Sequence, residues 1–165
     1  GEIYARIRCK KALIIYGSER VKQSGLFEDV AKSLREHGIE YIECGGVKSN
    51  PTISKVCEAV AMAKDFGADS VLSIGGGSCL DSAKAIAAGA CYDGDTWDFF
   101  KGTPVQKALM IFDVITLAAT GSEMNWGSVI TNEETQQNIQ FTAIIYFRKY
   151  QSLIRNYKRP LVVII

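Results

Sequence analysis

Residues 70–74 (SVLSI) pass directly into Gly75-Gly76-Gly77-Ser78, and from there into the alanine-rich stretch 79–90. No other feature limits the possible folds as strongly. The order predicts a buried strand, a tight glycine turn and a closely packed helix. Glycines let a backbone approach a diphosphate closely, and the free amides and dipole of a helix start favour negative charge. The turn lacks the G-x-G-x-x-G spacing and no Gly-Lys-Ser/Thr follows it, so neither the dinucleotide fingerprint nor a P-loop is present. The anion-binding reading competes with a plain tight turn capped by Ser78.

The strand-to-helix pattern recurs along the chain. Residues 11–16 (KALIIY) form an apolar run that stops at Gly17-Ser18. Leu26, Val30 and Leu34, with Phe27 and Ala31 beside them, line one helical face, and Gly38 is the stop. Residues 39–42 read as a second strand closed by Gly45-Gly46. Asn50-Pro51 reads as a helix start, with Asn as cap and Pro at the first helical position. Ile53, Val56, Val60 and Ala63 then mark the buried face, and Gly67 ends the helix. Residues 109–115 (LMIFDVI) form a further strand that meets Thr116. This alternation predicts an α/β fold, a doubly wound, mostly parallel, Rossmann-like sheet with helices on both faces. Trp97, Phe99 and Phe100 sit in a loop of acids and aromatics, as a lid or as cover for the core.

Composition excludes several functions. The 165 residues are 47% hydrophobic, enough for one globular core. Nineteen basic and eighteen acidic residues leave a net charge of +1 and no basic stripe, which argues against a nucleic-acid partner. No apolar run approaches the roughly 18 residues of a membrane span. With no secretory signature, a cytoplasmic location is expected. Five cysteines without a C-x-x-C pair argue against a disulfide framework or a thiolate zinc site. His37 is the sole histidine, so a metal site of several imidazoles cannot form from these residues.

Three further positions carry two readings each. Residues 116–123 (TLAATGSE) follow a strand at the ligand-binding edge of an open sheet, or simply start a helix with a capping box. Gly17-Ser18-Glu19-Arg20 faces a ribose or its phosphate, or is an ordinary charged turn. Cys79, at a helix start, is either an activated thiol or a packed, inert one.

The words KALIIYG, SGLFEDV, GVKSNPTISKV, GADSVLSIGGGSCLDSAKAIA, DTWDFF and ITLAATGSEMNWGSVITNEETQQ run in order from residue 11 to residue 137. Together they resemble the iron-dependent alcohol dehydrogenase family, in its NADPH-using, butanol-dehydrogenase-like branch. The resemblance implies an N-terminal NAD(P)-binding domain and a C-terminal helical domain. The latter holds Fe2+, or sometimes Zn2+, through one aspartate and three histidines. It implies that Gly75, Gly76, Gly77 and Ser78 form the pyrophosphate turn, with Asp81 on the nicotinamide side. Thr116, Leu117, Thr120 and Ser122 would line the adenosine and phosphate groove, and Asn50 would lie near the adenosine ribose. Gly17 and Ser18 form the first cofactor-side turn. Ser18 stands where NAD-preferring relatives carry an aspartate, which favours NADP over NAD. Arg20 would pair with a 2′-phosphate, and Glu19 would oppose it. The implied partners are a small alcohol or aldehyde and, in the intact relative, a second subunit of a homodimer.

The chain departs from that pattern in one direction. No aspartate follows Asp113 and no histidine follows His37, so the helical metal domain and its ligands are expected to be lacking, and no catalytic or metal residue is assigned. Residues 1–137 are expected to form the NAD(P)-binding domain and 138–165 an atypical tail without glycine or acid. Read one base out of frame, residues 146–156 permit Phe-Pro-Lys-Val-Ser-Val-Ile-Asp-Pro-Lys, which resembles the family's next segment. The Gln137–Asn138 junction permits a lysine. The tail therefore reads as an out-of-frame translation, and the chain as a truncated dehydrogenase that binds cofactor without turnover. The alternatives are a non-catalytic nucleotide-binding module and a non-functional fragment.

Overall fold

The computed structural model describes residues 8–117, 121–122, 125, 127–134, 137–142 and 161–164. In chain order the elements are β1 (Lys11–Tyr16), α1 (Arg20–Gln23), α2 (Leu26–Glu36), β2 (Glu40–Cys44), α3 (Ile53–Phe66), β3 (Ser70–Gly75) and α4 (Gly77–Gly89). A 3-10 helix (Thr96–Lys101) follows, then β4 (Met110–Ile115), β5 (Gly127–Asn132), β6 (Gln137–Thr142) and β7 (Leu161–Ile164).

The main sheet has the order β2-β1-β3-β4-β7. Its first four strands are parallel, and β7 adds to β4 antiparallel. Parallel strands covered on both faces must be apolar at successive positions. In β1, Ala12 to Tyr16 are accordingly all buried. Alternate residues feed opposite cores. Leu13, Ile15, Val71 and Ile111 pack with Val56, Val60, Leu80 and Ala83 of α3 and α4. Ile14, Leu72, Ile74, Phe112 and Val114 pack on the other side with Phe27, Ala31 and Leu34 of α2. The sheet is therefore wound on both faces, as the alternation of elements predicts.

The helices follow from local chemistry. In α2, Glu28 and Asp29 occupy the first turn and Arg35 the last, which suits the helix dipole. Gly67 closes α3 in the left-handed region, φ +69°, and the amide of Ala68 donates to the Ala63 carbonyl at 2.9 Å. Almost all of α4 is buried, because alanine at 83, 85, 87 and 88 lets strands and helices approach it closely. Phe99 and Phe100 are buried, and Trp97 stacks on Phe100 with centroids 4.7 Å apart, so this cluster covers the core.

Two expectations are corrected. Helix α3 starts at Ile53, flanked by Thr52 with no side-chain cap, so Asn50 does not cap it and Pro51 lies outside it. Tertiary pairing captures this stretch instead: the Thr131 amide donates to the Pro51 carbonyl at 2.8 Å, and Thr52 bridges Thr131. Helix α4 likewise starts at Gly77, flanked by Gly76, so Ser78 is not its cap. A separate antiparallel ribbon joins β5 to β6. Among the described residues, no helix is long and apolar enough to cross a membrane.

Candidate functional site

The carboxyl ends of β1, β3 and β4 lie side by side and lead into the turns at Gly17, Gly76 and Thr116. Backbone bonds hold these turns in place. The Thr116 amide donates to the Gly75 carbonyl at 2.9 Å, and the Gly46 amide to the Gly17 carbonyl at 3.1 Å. Between them opens a cleft of about 560 Å3, lined by Gly17, Ser18, Gly75, Gly76, Thr116 and Leu117. A second cleft, of about 360 Å3, is lined by Asn50, Asp81, Ser122, Asn125, Val129 and Thr131. Gly77 and Ser78 line both.

Those two residues open α4. The amides of Cys79 and Leu80 donate to the Gly76 carbonyl at 3.0 and 3.2 Å. No side chain caps the helix, and the amides of Gly77 and Ser78 make no hydrogen bond among the described residues. A thirteen-residue helix thus directs two open donors and its positive dipole end at the junction of two clefts. The adjacent glycines differ. A Cβ on Gly75 would lie 2.5 Å from Cys79 Sγ, so this glycine serves packing. A Cβ on Gly76 would meet the opposite wall at Leu117, 3.6 Å away, so this one keeps the cleft open. The arrangement fits the diphosphate of a dinucleotide.

The first cleft is cationic at one end. Arg20 and Lys48 line it, and among the described residues no carboxylate does. Glu19 turns away: it accepts from the Tyr16 hydroxyl at 3.4 Å and lies 4.0 Å from Lys22. Lys22 is in turn held by Glu43 at 2.8 Å.

The second cleft centres on Asp81. Burial pushes its carboxyl above the usual range, while the Ser122 hydroxyl, the Lys84 ammonium and the Val129 amide oppose that shift. The Ser122 hydroxyl donates to Asp81 Oδ1 at 2.5 Å, and the Val129 amide donates to Oδ2 at 3.3 Å. Lys84, one turn further along α4, is buried and lies 3.9 Å from the same carboxylate.

The structure thus gathers eleven of the expected cofactor residues around one helix start. Thr120 lies outside the described residues. The grouping differs from expectation in one respect: Asn50 and Ser122 share a cleft with Asp81, whereas Thr116 and Leu117 share the other with Ser18. Lys84, Lys48 and Asn125 were not foreseen. The available signal for Lys84 was a lysine inside an alanine run, a position too buried for a solvated cation. Cys79 is 5% exposed, and burial, aided by the charge of Asp113, pushes its thiol up to about 12, so it is packed and inert. His37 lies at the end of α2, with Nδ1 2.8 Å from the Ser33 carbonyl. Among the described residues, no group of three or more His, Cys, Asp or Glu side chains could hold a metal ion, so these residues do not fit an iron or zinc centre.

An open, mostly parallel sheet with an uncapped helix start between two clefts at its carboxyl edge is the α/β architecture that takes ligands at that edge. The chain belongs to the iron-containing alcohol dehydrogenase family, whose sequence model matches residues 1–145. It is 46% identical over 145 residues to a probable NADH-dependent butanol dehydrogenase of Bacillus subtilis, spanning 87% of this chain and 38% of that one. It is 36% identical over 129 residues to an NADPH-dependent aldehyde reductase of Escherichia coli, spanning 76% of this chain and 33% of that one. The crystal structure of the NADH-dependent butanol dehydrogenase A of Thermotoga maritima superimposes with a TM-score of 0.84 at 48% identity, over 87% of this chain and 36% of that one. The chain therefore spans between a third and two fifths of the length of these relatives.

Proposed function

We propose that this chain binds a nicotinamide dinucleotide and is the cofactor-holding part of an alcohol dehydrogenase. The observation that carries the reading is the uncapped start of α4 at the junction of two clefts. The amides of Gly77 and Ser78 take the diphosphate, and one nucleoside half enters each cleft. The nicotinamide half enters the cleft of Asp81, whose carboxylate accepts from ligand N–H or O–H groups. The adenosine half lies along the β1 turn. There the cationic side chains of Arg20 and Lys48 favour the 2′-phosphate of NADP over the bare ribose of NAD. Relatives named for either cofactor support the dinucleotide class.

In a longer protein a nicotinamide held by Gly77, Ser78 and the Asp81 cleft would supply hydride chemistry toward a small aldehyde or alcohol, and this chain's share is binding and orientation. The 165 residues as they stand are proposed to bind without turnover. Their one histidine cannot supply the three that the family resemblance assigns to the metal. Residues 138–165 are proposed to be read in a shifted frame, which sequencing the DNA across codons 130 to 170 tests. Fluorescence titration of the chain with NADPH, NADH and ATP tests the binding reading. Both reduced dinucleotides are expected to bind at least tenfold more tightly than ATP. Absence of binding by both refutes the proposal.

A further inference from the structure

We infer that Lys84 is a positioning residue for the nicotinamide side of the site, acting through Ser122, Asn125 and Asp81 without touching the ligand. The inference rests on the dinucleotide reading above. Lys84 sits in the most buried helix of the fold and is 6% exposed. An ammonium is tolerated there only when its three protons meet acceptors. Three backbone carbonyls converge on Nζ: Ser122 at 2.7 Å, Gly127 at 2.8 Å and Asn125 at 3.0 Å. The Ser122 hydroxyl at 3.0 Å and Asn125 Oδ1 at 3.3 Å share the same protons.

These acceptors belong to one stretch of chain entering β5, so a single cation pins that stretch to α4 at three points. Ser122, Asn125 and Gly127 also line the second cleft, whereas Lys84 lines neither cleft. The contact has a directional consequence. Because Lys84 donates to the Ser122 oxygen, the hydroxyl proton turns to Asp81 Oδ1. With the Val129 amide on Oδ2, both carboxylate oxygens are oriented before a ligand arrives. The lone pairs left over suit the N–H of a carboxamide or a ribose hydroxyl. Asn125 closes the same stretch, its Oδ1 accepting from the Gly127 amide at 3.0 Å and its Nδ2 donating to the Gly121 carbonyl at 3.2 Å.

The test compares NADH with ADP, which lacks the nicotinamide nucleoside, in the full chain and in Lys84→Met. The expected result is a rise of at least tenfold in the Kd of NADH with less than a threefold change for ADP. Equal weakening of both ligands, or no change in either, overturns the inference. If the unsubstituted chain binds neither ligand, the dinucleotide reading has failed instead. Hydrogen exchange on the unsubstituted, ligand-free chain covers the case in which Lys84→Met does not fold. The amides of Asn125 and Gly127 are expected to exchange as slowly as those within α4, and rapid exchange there shows that Lys84 does not hold the segment in advance.

Discussion

Replacing Gly75 and Gly76 by alanine, one at a time, separates packing from binding at neighbouring positions. A methyl on Gly75 would sit 2.5 Å from Cys79 Sγ and 2.9 Å from Cys79 Cβ, both too close for real atoms. Cys79 is buried in the first turn of α4, so relief requires moving the helix start away from β3. Overpacking of this kind costs about 1–3 kcal/mol. The value here lies near the top, about 2–3 kcal/mol, because both contacting atoms are close to the backbone. Cys79→Ala in the same chain removes the sulfur contact and leaves the Cβ contact, so a coupling of about 1 kcal/mol is expected.

Among the described residues, a methyl on Gly76 meets only the Leu117 carbonyl at 3.6 Å and Leu117 Cβ at 3.9 Å, ordinary contacts. The backbone there is extended, φ −97° and ψ −165°, which alanine adopts. Stability is therefore expected to change by less than about 0.5 kcal/mol. The methyl does occupy the space between the β3 and β4 turns, so NADPH affinity falls at least about tenfold, roughly 1.4 kcal/mol. Urea unfolding followed by far-UV circular dichroism reads the first effect, and NADPH fluorescence titration the second. The reasoning is refuted if Gly76→Ala destabilises as much as Gly75→Ala, or if Gly76→Ala binds NADPH normally.

Three further outcomes are expected. Burial raises the Asp81 carboxyl in the folded chain, so between its ordinary value and the raised one the folded state holds the extra proton; its contribution to stability is complete below the ordinary value and is lost as pH rises through the raised one. Urea midpoints measured across acidic pH are expected to show that decline, and Asp81→Asn is expected to flatten it. Toward an aromatic disulfide reagent in native buffer, exposed Cys57 reacts first, whereas Cys9, pushed up to about 11, and Cys79, pushed up to about 12, react only on unfolding; thiol counting against time and urea checks this. The double substitution Arg20→Ala with Lys48→Ala is expected to weaken NADPH binding at least tenfold and NADH binding less than twofold; equal losses would remove the case for a 2′-phosphate contact.

The sheet was legible because its signals are local. β1, β3 and β4 are mostly apolar runs, interrupted inside only by Ser73 and Asp113, that stop at Gly17, Gly76 and Thr116, and such runs have few ways to be buried except as parallel strands between helices. The face of α2 follows from its spacing, since Phe27, Ala31 and Leu34 fall on one side of a 3.6-residue helix. The glycine turn marked the site for the same reason, a strand end and a helix start meeting within a few residues. Contacts between distant residues were not legible. Asn50-Pro51 has the local form of a helix start, yet the Thr131 amide, eighty positions on, takes the Pro51 carbonyl and carries Asn50 to the wall of the Asp81 cleft. The alanine run around Lys84 hints that it is buried, but not that carbonyls 38 to 43 positions away surround its ammonium. Periodicity and turn chemistry act over one or two turns of chain, so the sequence alone determined the layers and the place of the glycine turn. Only the tertiary structure decided which polar groups face each cleft, because those pairings depend on where β5 docks against α4.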